Sequence, residues 1–112
     1  NSLYVGIFNE IKIVGFKSQF GHSFYEGEIT PLFKTLRGPG FNKSEHREGI
    51  HYKNFMGTYL LGPLLILNPD FTIDFANEIG IADFKPAYYE TAKAAYNLRL
   101  KQYLDEKTGF YY

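Results

Sequence analysis

The chain has 112 residues, 45% hydrophobic and 19% aromatic, with 11 Phe and 10 Tyr but no Trp; that is ample apolar surface for one packed domain and too little length for two. Twelve basic and twelve acidic side chains cancel, so no overall field draws nucleic acid or an anionic membrane to it. With no cysteine, disulfides, thiolate metal sites and a cysteine nucleophile on this chain are excluded, and a reducing, cytoplasmic setting is expected.

Leu3 to Phe8 and Ile11 to Ser18 are rich in β-branched and aromatic residues and read as two strands joined by a turn at Asn9-Glu10. A loop follows from Phe20 to Pro31, then a short strand over Leu32 to Leu36. Arg37 to Gly49 is polar and carries Gly38, Pro39, Gly40, Asn42 and Ser44, the composition of a long loop. Ile50 to Lys53 and Phe55 to Leu60 read as a hairpin around Lys53-Asn54, and Gly57 to Leu65 as a buried strand running into a tight turn. No apolar run reaches membrane-spanning length, since the longest, Tyr59 to Leu67, is interrupted by Gly62-Pro63. A membrane partner is therefore not expected.

Asn68-Pro69-Asp70 has the chemistry of a helix start, with Asn68 as cap, Pro69 in the first turn and Asp70 at the positive end. Phe71, Phe75 and Ile79 then form one apolar stripe, and Gly80 ends the helix. A second helix is expected from near Pro86 to about Tyr103. Its packed face carries Tyr89, Ala92, Tyr96, Leu100 and Tyr103, while Lys93, Arg99 and Lys101 stay wet. Residues Thr108 to Tyr112 are expected to fray. The chain thus divides into a strand-rich part, 1–67, and a helical part, 68–112, of a single domain over 1–112. Strands followed by helices, taken alone, indicate α+β. The start at Asn1, with no Met and no basic or signal-like stretch, reads as a fragment beginning inside a fold.

Few residues carry chemistry by themselves. His22, His46 and His51 show no zinc-ligand spacing, so no metal is expected, and no cofactor. Ser18 and Ser23 lie in no Gly-x-Ser-x-Gly elbow. Arg37-Gly38-Pro39-Gly40 lacks the Lys-Ser/Thr ending of a phosphate loop. The charge run Lys43 to Glu48 reads as a solvated loop, with a partner-facing role as the alternative. Tyr88, Tyr89, Tyr96 and Tyr103 read as helix-face packing, with an aromatic contact surface as the alternative.

Three blocks, in order, go further. They are Ile13-Val14-Gly15-Phe16-Lys17-Ser18-Gln19-Phe20-Gly21; then Gly38-Pro39-Gly40-Phe41-Asn42 with Glu48-Gly49 and Tyr52-Lys53-Asn54; and then Gly57-Thr58-Tyr59-Leu60-Leu61-Gly62-Pro63-Leu64-Leu65 with Asn68-Pro69. Together they resemble the C-terminal half of a class I glutamine amidotransferase domain of the cobyric acid synthase type. The middle block is most similar to the amidotransferase subunit of lipid II isoglutaminyl synthase. The resemblance covers Ile13 to Pro69, and the third block is the specific one.

The resemblance implies an α/β fold, the second half of a flavodoxin-like sheet followed by two helices. It implies an activity in which a cysteine thiolate attacks the glutamine amide, a histidine shuttles the proton, and ammonia passes to a ligase-like synthetase subunit. In that family the cysteine lies in the first half of the domain, and the histidine falls at the position of Leu61. Lys17 stands where the family has Glu, and Gln19 where it has His. The expected catalytic set is therefore empty, and the chain is expected to be inactive as it stands. The expected cleft is lined by Ser18, Gln19, His22, Asn42, Tyr59, Leu61 and Gly62, with an ordinary surface role expected for His22. The alternatives are an active parent whose nucleophile lies upstream and whose base has moved to His22, and a non-enzymatic interaction module for a ligase-like subunit. A half-domain should also leave a sheet edge and apolar surface open, to be covered by its N-terminal half or by self-association.

Overall fold

The computed structural model describes residues 1–109. Strands β1 (Ser2–Phe8) and β2 (Ile11–Lys17) pair antiparallel from Ser2↔Lys17 to Phe8↔Ile11. Their two-residue turn has Asn9 at φ 43° and Glu10 at φ 69°. Both are left-handed, the geometry that matches a hairpin's twist even without glycine. Strand β3 (Phe33–Arg37) pairs with the other side of β1, and the two-residue β4 (Arg47–Glu48) with β3, giving an antiparallel sheet in the order β2-β1-β3-β4. Strands β5 (Ile50–Tyr52) and β6 (Phe55–Gly57) form a separate hairpin. Helices α1 (Leu64–Leu67), α2 (Pro69–Glu78) and α3 (Tyr89–Leu104) follow. The fold class is α/β, sheets followed by helices, compatible with one part of a flavodoxin-like domain. Among the described residues all strand pairs are antiparallel.

Tyr4 and Phe8 share one face of β1 by the period of two. With Ile13, Leu32, Phe33, Leu60 and Phe71 they make the core. The Phe71 ring meets Phe8 edge-on at 5.1 Å and Phe33 at 5.7 Å between centroids, a favourable arrangement of aromatic quadrupoles.

Four expectations are corrected. The segment from Gly57 onward is not a buried strand, since β6 ends at Gly57 and only a single bridge, Lys17↔Leu60, continues. The buried Glu48 carboxylate takes the Tyr59 N–H that a strand ladder would have used. Leu60 is buried there while Tyr59 and Leu61 on either side are exposed, and the peptide between Gly62 and Pro63 is cis.

Secondly, Asn68 does not cap α2. Its amide instead pairs with the backbone of β2, Oδ1 accepting from Val14 N at 2.8 Å and Nδ2 donating to Val14 O at 2.8 Å. Thirdly, the outer edge of β2 is accordingly not open. Beside Asn68, the Tyr96 hydroxyl donates to Lys12 O and Leu61 N to Phe16 O. Phe20, Phe24 and Tyr88 are largely exposed.

Fourthly, the helices depart in detail. Ile79 drops out of the α2 stripe into solvent. Tyr88, left-handed at φ 56°, delays α3 to Tyr89. Lys93 is half-buried against Asp70 rather than wet. Of the residues expected to fray, 110–112 lie outside the described residues, and the Thr108 carbonyl is held by Arg37.

Candidate functional site

The candidate site is organised by a buried ion pair. Lys17, the last residue of β2, is 1% exposed, and Glu48, the last of β4, is fully buried. Lys17 Nζ donates to Gly40 O at 2.8 Å and Pro39 O at 3.2 Å, and lies 3.6 Å from Glu48 Oε1. Burial holds the Lys17 ammonium below its ordinary pKa, against the opposing pull of Glu48. Glu48 accepts from Thr58 Oγ1 at 2.6 Å and from Tyr59 N at 2.7 Å, and Thr58 Oγ1 in turn accepts from Leu60 N at 3.0 Å. Every strong hydrogen-bonding group of the pair has a partner, as a buried pair requires. One interaction thus ties three segments together: the end of β2, the glycine loop 38–41, and the segment 58–61.

The glycine loop fits because it lacks side chains. A Cβ on Gly40 would overlap the carbonyl oxygens of Glu45 and Arg47. Gly38 has φ 93° and would put its Cβ 2.5 Å from Leu3 O. Both positions admit only glycine.

The residues expected to line a cleft separate into different settings. Gln19 Nε2 donates to Phe41 O at 3.0 Å, while its Oε1 is buried without a partner. Gln19 and His22 line a polar cleft of about 440 Å3 with Lys17, Gly38, Pro39 and Lys43. Tyr59 lines a different, apolar cavity, its hydroxyl 3.0 Å from Ser23 Oγ. Asn42 knits loops together, donating to Ser23 O and accepting from Ser44 N and Ser44 Oγ. Ser18, Asn42, Leu61 and Gly62 stand outside both clefts. Leu61 is 39% exposed, with its N–H fixed to Phe16 O at 3.0 Å.

The sequence reading did not find Glu48, Thr58 or the amide plug of Asn68. The only signal for the ion pair was the basic residue at position 17, in a place where the resemblance calls for an acid. Among the described residues, no group of three or more His, Asp or Glu is arranged to hold a metal ion. His51 Nε2 lies 3.5 Å from Glu78 Oε2, linking the β5–β6 hairpin to α2.

No family model matches the chain. Over 60 residues it is 42% identical to the GatD subunit of the glutamine-hydrolysing lipid II isoglutaminyl synthase of Staphylococcus aureus (strain N315), a match covering 54% of this chain and 24% of that protein. The GatD subunit of Streptococcus pneumoniae (strain ATCC BAA-255 / R6) is 39% identical over 54 residues, covering 48% of this chain and 21% of the relative. The chain thus spans about a quarter or less of the length of the curated relatives it matches. This similarity supports a relationship to glutamine amidotransferases in the broad sense. Among the described residues, no helix is long and apolar enough to cross a membrane.

Proposed function

We propose that the chain is one part, over residues 1–112, of a glutamine amidotransferase-like domain of the cobyric acid synthase type, and that as it stands it does not hydrolyse glutamine. The observation that carries this reading is Leu61. It sits within Gly57-Thr58-Tyr59-Leu60 and Gly62-Pro63-Leu64-Leu65 at the place of the family's histidine, in a chain similar to GatD. An isobutyl group neither takes nor gives a proton, so it serves neither to activate a thiol nor to protonate departing ammonia. Gln19, where the family has His, removes a second proton-carrying group, and Lys17, where the family has Glu, holds its ammonium against Glu48 and the carbonyls of Pro39 and Gly40. Losing one member of such a constellation costs several orders of magnitude in rate.

The relatives are named as subunits of a synthase, which supports a ligase-like subunit as the partner of this domain. The loop around Lys43 and Arg47 is the surface proposed to meet it. The test of inactivity is ammonia release from glutamine by the chain, which is expected to stay at the buffer background, with or without Leu61→His. Sustained, protein-dependent ammonia release would refute the reading.

A second reading is favoured by the position of His22, which shares the polar cleft with Gln19 and Lys17. In it, the nucleophile lies on residues outside this chain and His22 replaces the lost base. Glutamine hydrolysis by a longer protein containing this chain, abolished by His22→Ala, would establish it. Unchanged activity in that variant would exclude it.

A further inference from the structure

A second concavity, about 270 Å3, lies between the loop beginning at Ser23 and the β5–β6 hairpin. Its walls are mainly aromatic, with Phe24, Tyr25, Phe41, Phe55 and Tyr59 joined by Ile50. Tyr25 and Phe41 brace each other edge-on at 5.5 Å. No charged side chain lines the cavity; those that stand close behind it, Lys17 beside the Tyr59 ring among them, are each held by a partner. Glu45 accepts from the Tyr25 hydroxyl at 2.9 Å, Arg47 is bonded to Glu45 at 2.8 Å, and Glu48 is bound to Thr58 and Tyr59.

The polar feature of the wall is the hydroxyl pair of Ser23 and Tyr59, 3.0 Å apart. Each hydroxyl has one proton, and one of the two is used between them. The other, with the remaining lone pairs, is left for a further partner. An apolar cavity of about 150 Å3 suffices for benzene, so this volume suits two fused rings or one substituted ring. A mostly apolar recess with one orienting polar group is the general form of a small-molecule site.

We propose that this cavity binds a small, uncharged aromatic molecule bearing one hydroxyl or carbonyl, which bonds to the Ser23–Tyr59 pair. The rings would stack among Phe41, Phe55 and Tyr59. The ligand would also touch Thr58 and Tyr59, which are tied through Glu48 to the ion pair under the candidate site. Neither the proposed amidotransferase kinship nor the loss of hydrolysis is needed for this site.

The test is a titration of the chain followed by 1H–15N NMR, with 2-naphthol, naphthalene and 2-naphthoate as probes. Saturable shifts by 2-naphthol are expected at Phe41, Gly57 and Thr58. Naphthalene should bind about five- to tenfold more weakly, the worth of one hydrogen bond. The charged naphthoate should be weaker still, because nothing in the wall compensates the desolvated carboxylate. Ser23→Ala combined with Tyr59→Phe, which removes both hydroxyls, should bring 2-naphthol down to the affinity of naphthalene, and Ile50→Trp, which fills the recess, should abolish both, in variants whose remaining spectrum is unchanged. Equal binding of naphthoate, shifts confined to Phe20 or Tyr88, or unaltered binding by folded Ile50→Trp would overturn the proposal. So would saturation by an aromatic-containing peptide with none by 2-naphthol, which would make the cavity a protein contact instead.

Discussion

Asn68 offers a sharp test of how this fold is closed. Its side chain is 1% exposed and makes three hydrogen bonds of 2.8 Å, one from Val14 N, one to Val14 O and one to Leu64 O. An amide is the one side-chain group that offers donor and acceptor in the geometry of a neighbouring strand, so Asn68 stands in for a strand at the edge of β2. Asn68→Ala removes three bonds at about 1 kcal/mol each. It also leaves the Val14 N–H and C=O without partners, so a loss of about 3–5 kcal/mol is expected, a large share of the 5–15 kcal/mol typical of a domain. A helix cap at the same position would be worth about 1 kcal/mol, and Ser or Asp would serve nearly as well as Asn. The two roles therefore separate in Asn68→Ser and Asn68→Asp. The strand-substitute role predicts that both lose about as much as Ala, Asp more so because its carboxylate faces the carbonyls of Val14 and Leu64. Urea unfolding gives the free energies, and amide exchange at Val14 should accelerate in step. A Ser variant within about 0.5 kcal/mol of the parent chain would refute the reasoning.

Other consequences concern the buried polar groups. Lys17→Met or Glu48→Gln alone should each cost about 3–5 kcal/mol, because the partner is left charged and buried. The double variant should lose clearly less than the sum, and strict additivity in a double-mutant cycle would show that the two do not act as a pair. The Tyr4 hydroxyl is fully buried and bonded to Thr35 Oγ1 at 3.0 Å. Burial drives its pKa well above the ordinary 10, the Thr35 bond opposes this, and the Glu48 charge adds to it. A raised folded-state pKa keeps its stabilisation below the unfolded value and loses it as pH rises beyond, so the melting temperature should fall above about pH 10. The lowered pKa of Lys17 works in the opposite sense and at lower pH, its effect being complete by the ordinary value of 10.5. Tyr4→Phe should therefore flatten the alkaline decline in thermal melts above about pH 10, and an unchanged slope there would contradict the assignment.

The elements legible in the sequence were those decided by local chemistry. The β1–β2 hairpin, β3, the start of α2 at Pro69 and its stop at Gly80 follow from alternation, turn residues and helix punctuation. What the sequence hid were contacts between residues far apart along the chain. Asn68 reads as a cap because Asn before Pro-Asp is good capping chemistry; the 54-residue link to Val14 leaves no local trace. Gly57 to Leu65 reads as a strand because it is apolar, but the Glu48 carboxylate, ten residues before Thr58, captures its backbone. The same applies to the candidate site. Individual residues such as Gln19, His22 and Tyr59 were visible in the sequence. That Gln19 and His22 share one cleft while Tyr59 faces another depends on the ion pair between them.

The most direct measurement is glutamine hydrolysis by a chimera in which a GatD relative keeps the rest of its length and receives this chain's segment Ile13 to Pro69. The account predicts a folded protein that releases ammonia at least about a thousandfold more slowly than the relative, with Leu61→His in the chimera restoring part of the rate. A folded chimera that retains Leu61 and hydrolyses glutamine as fast as the relative would contradict it.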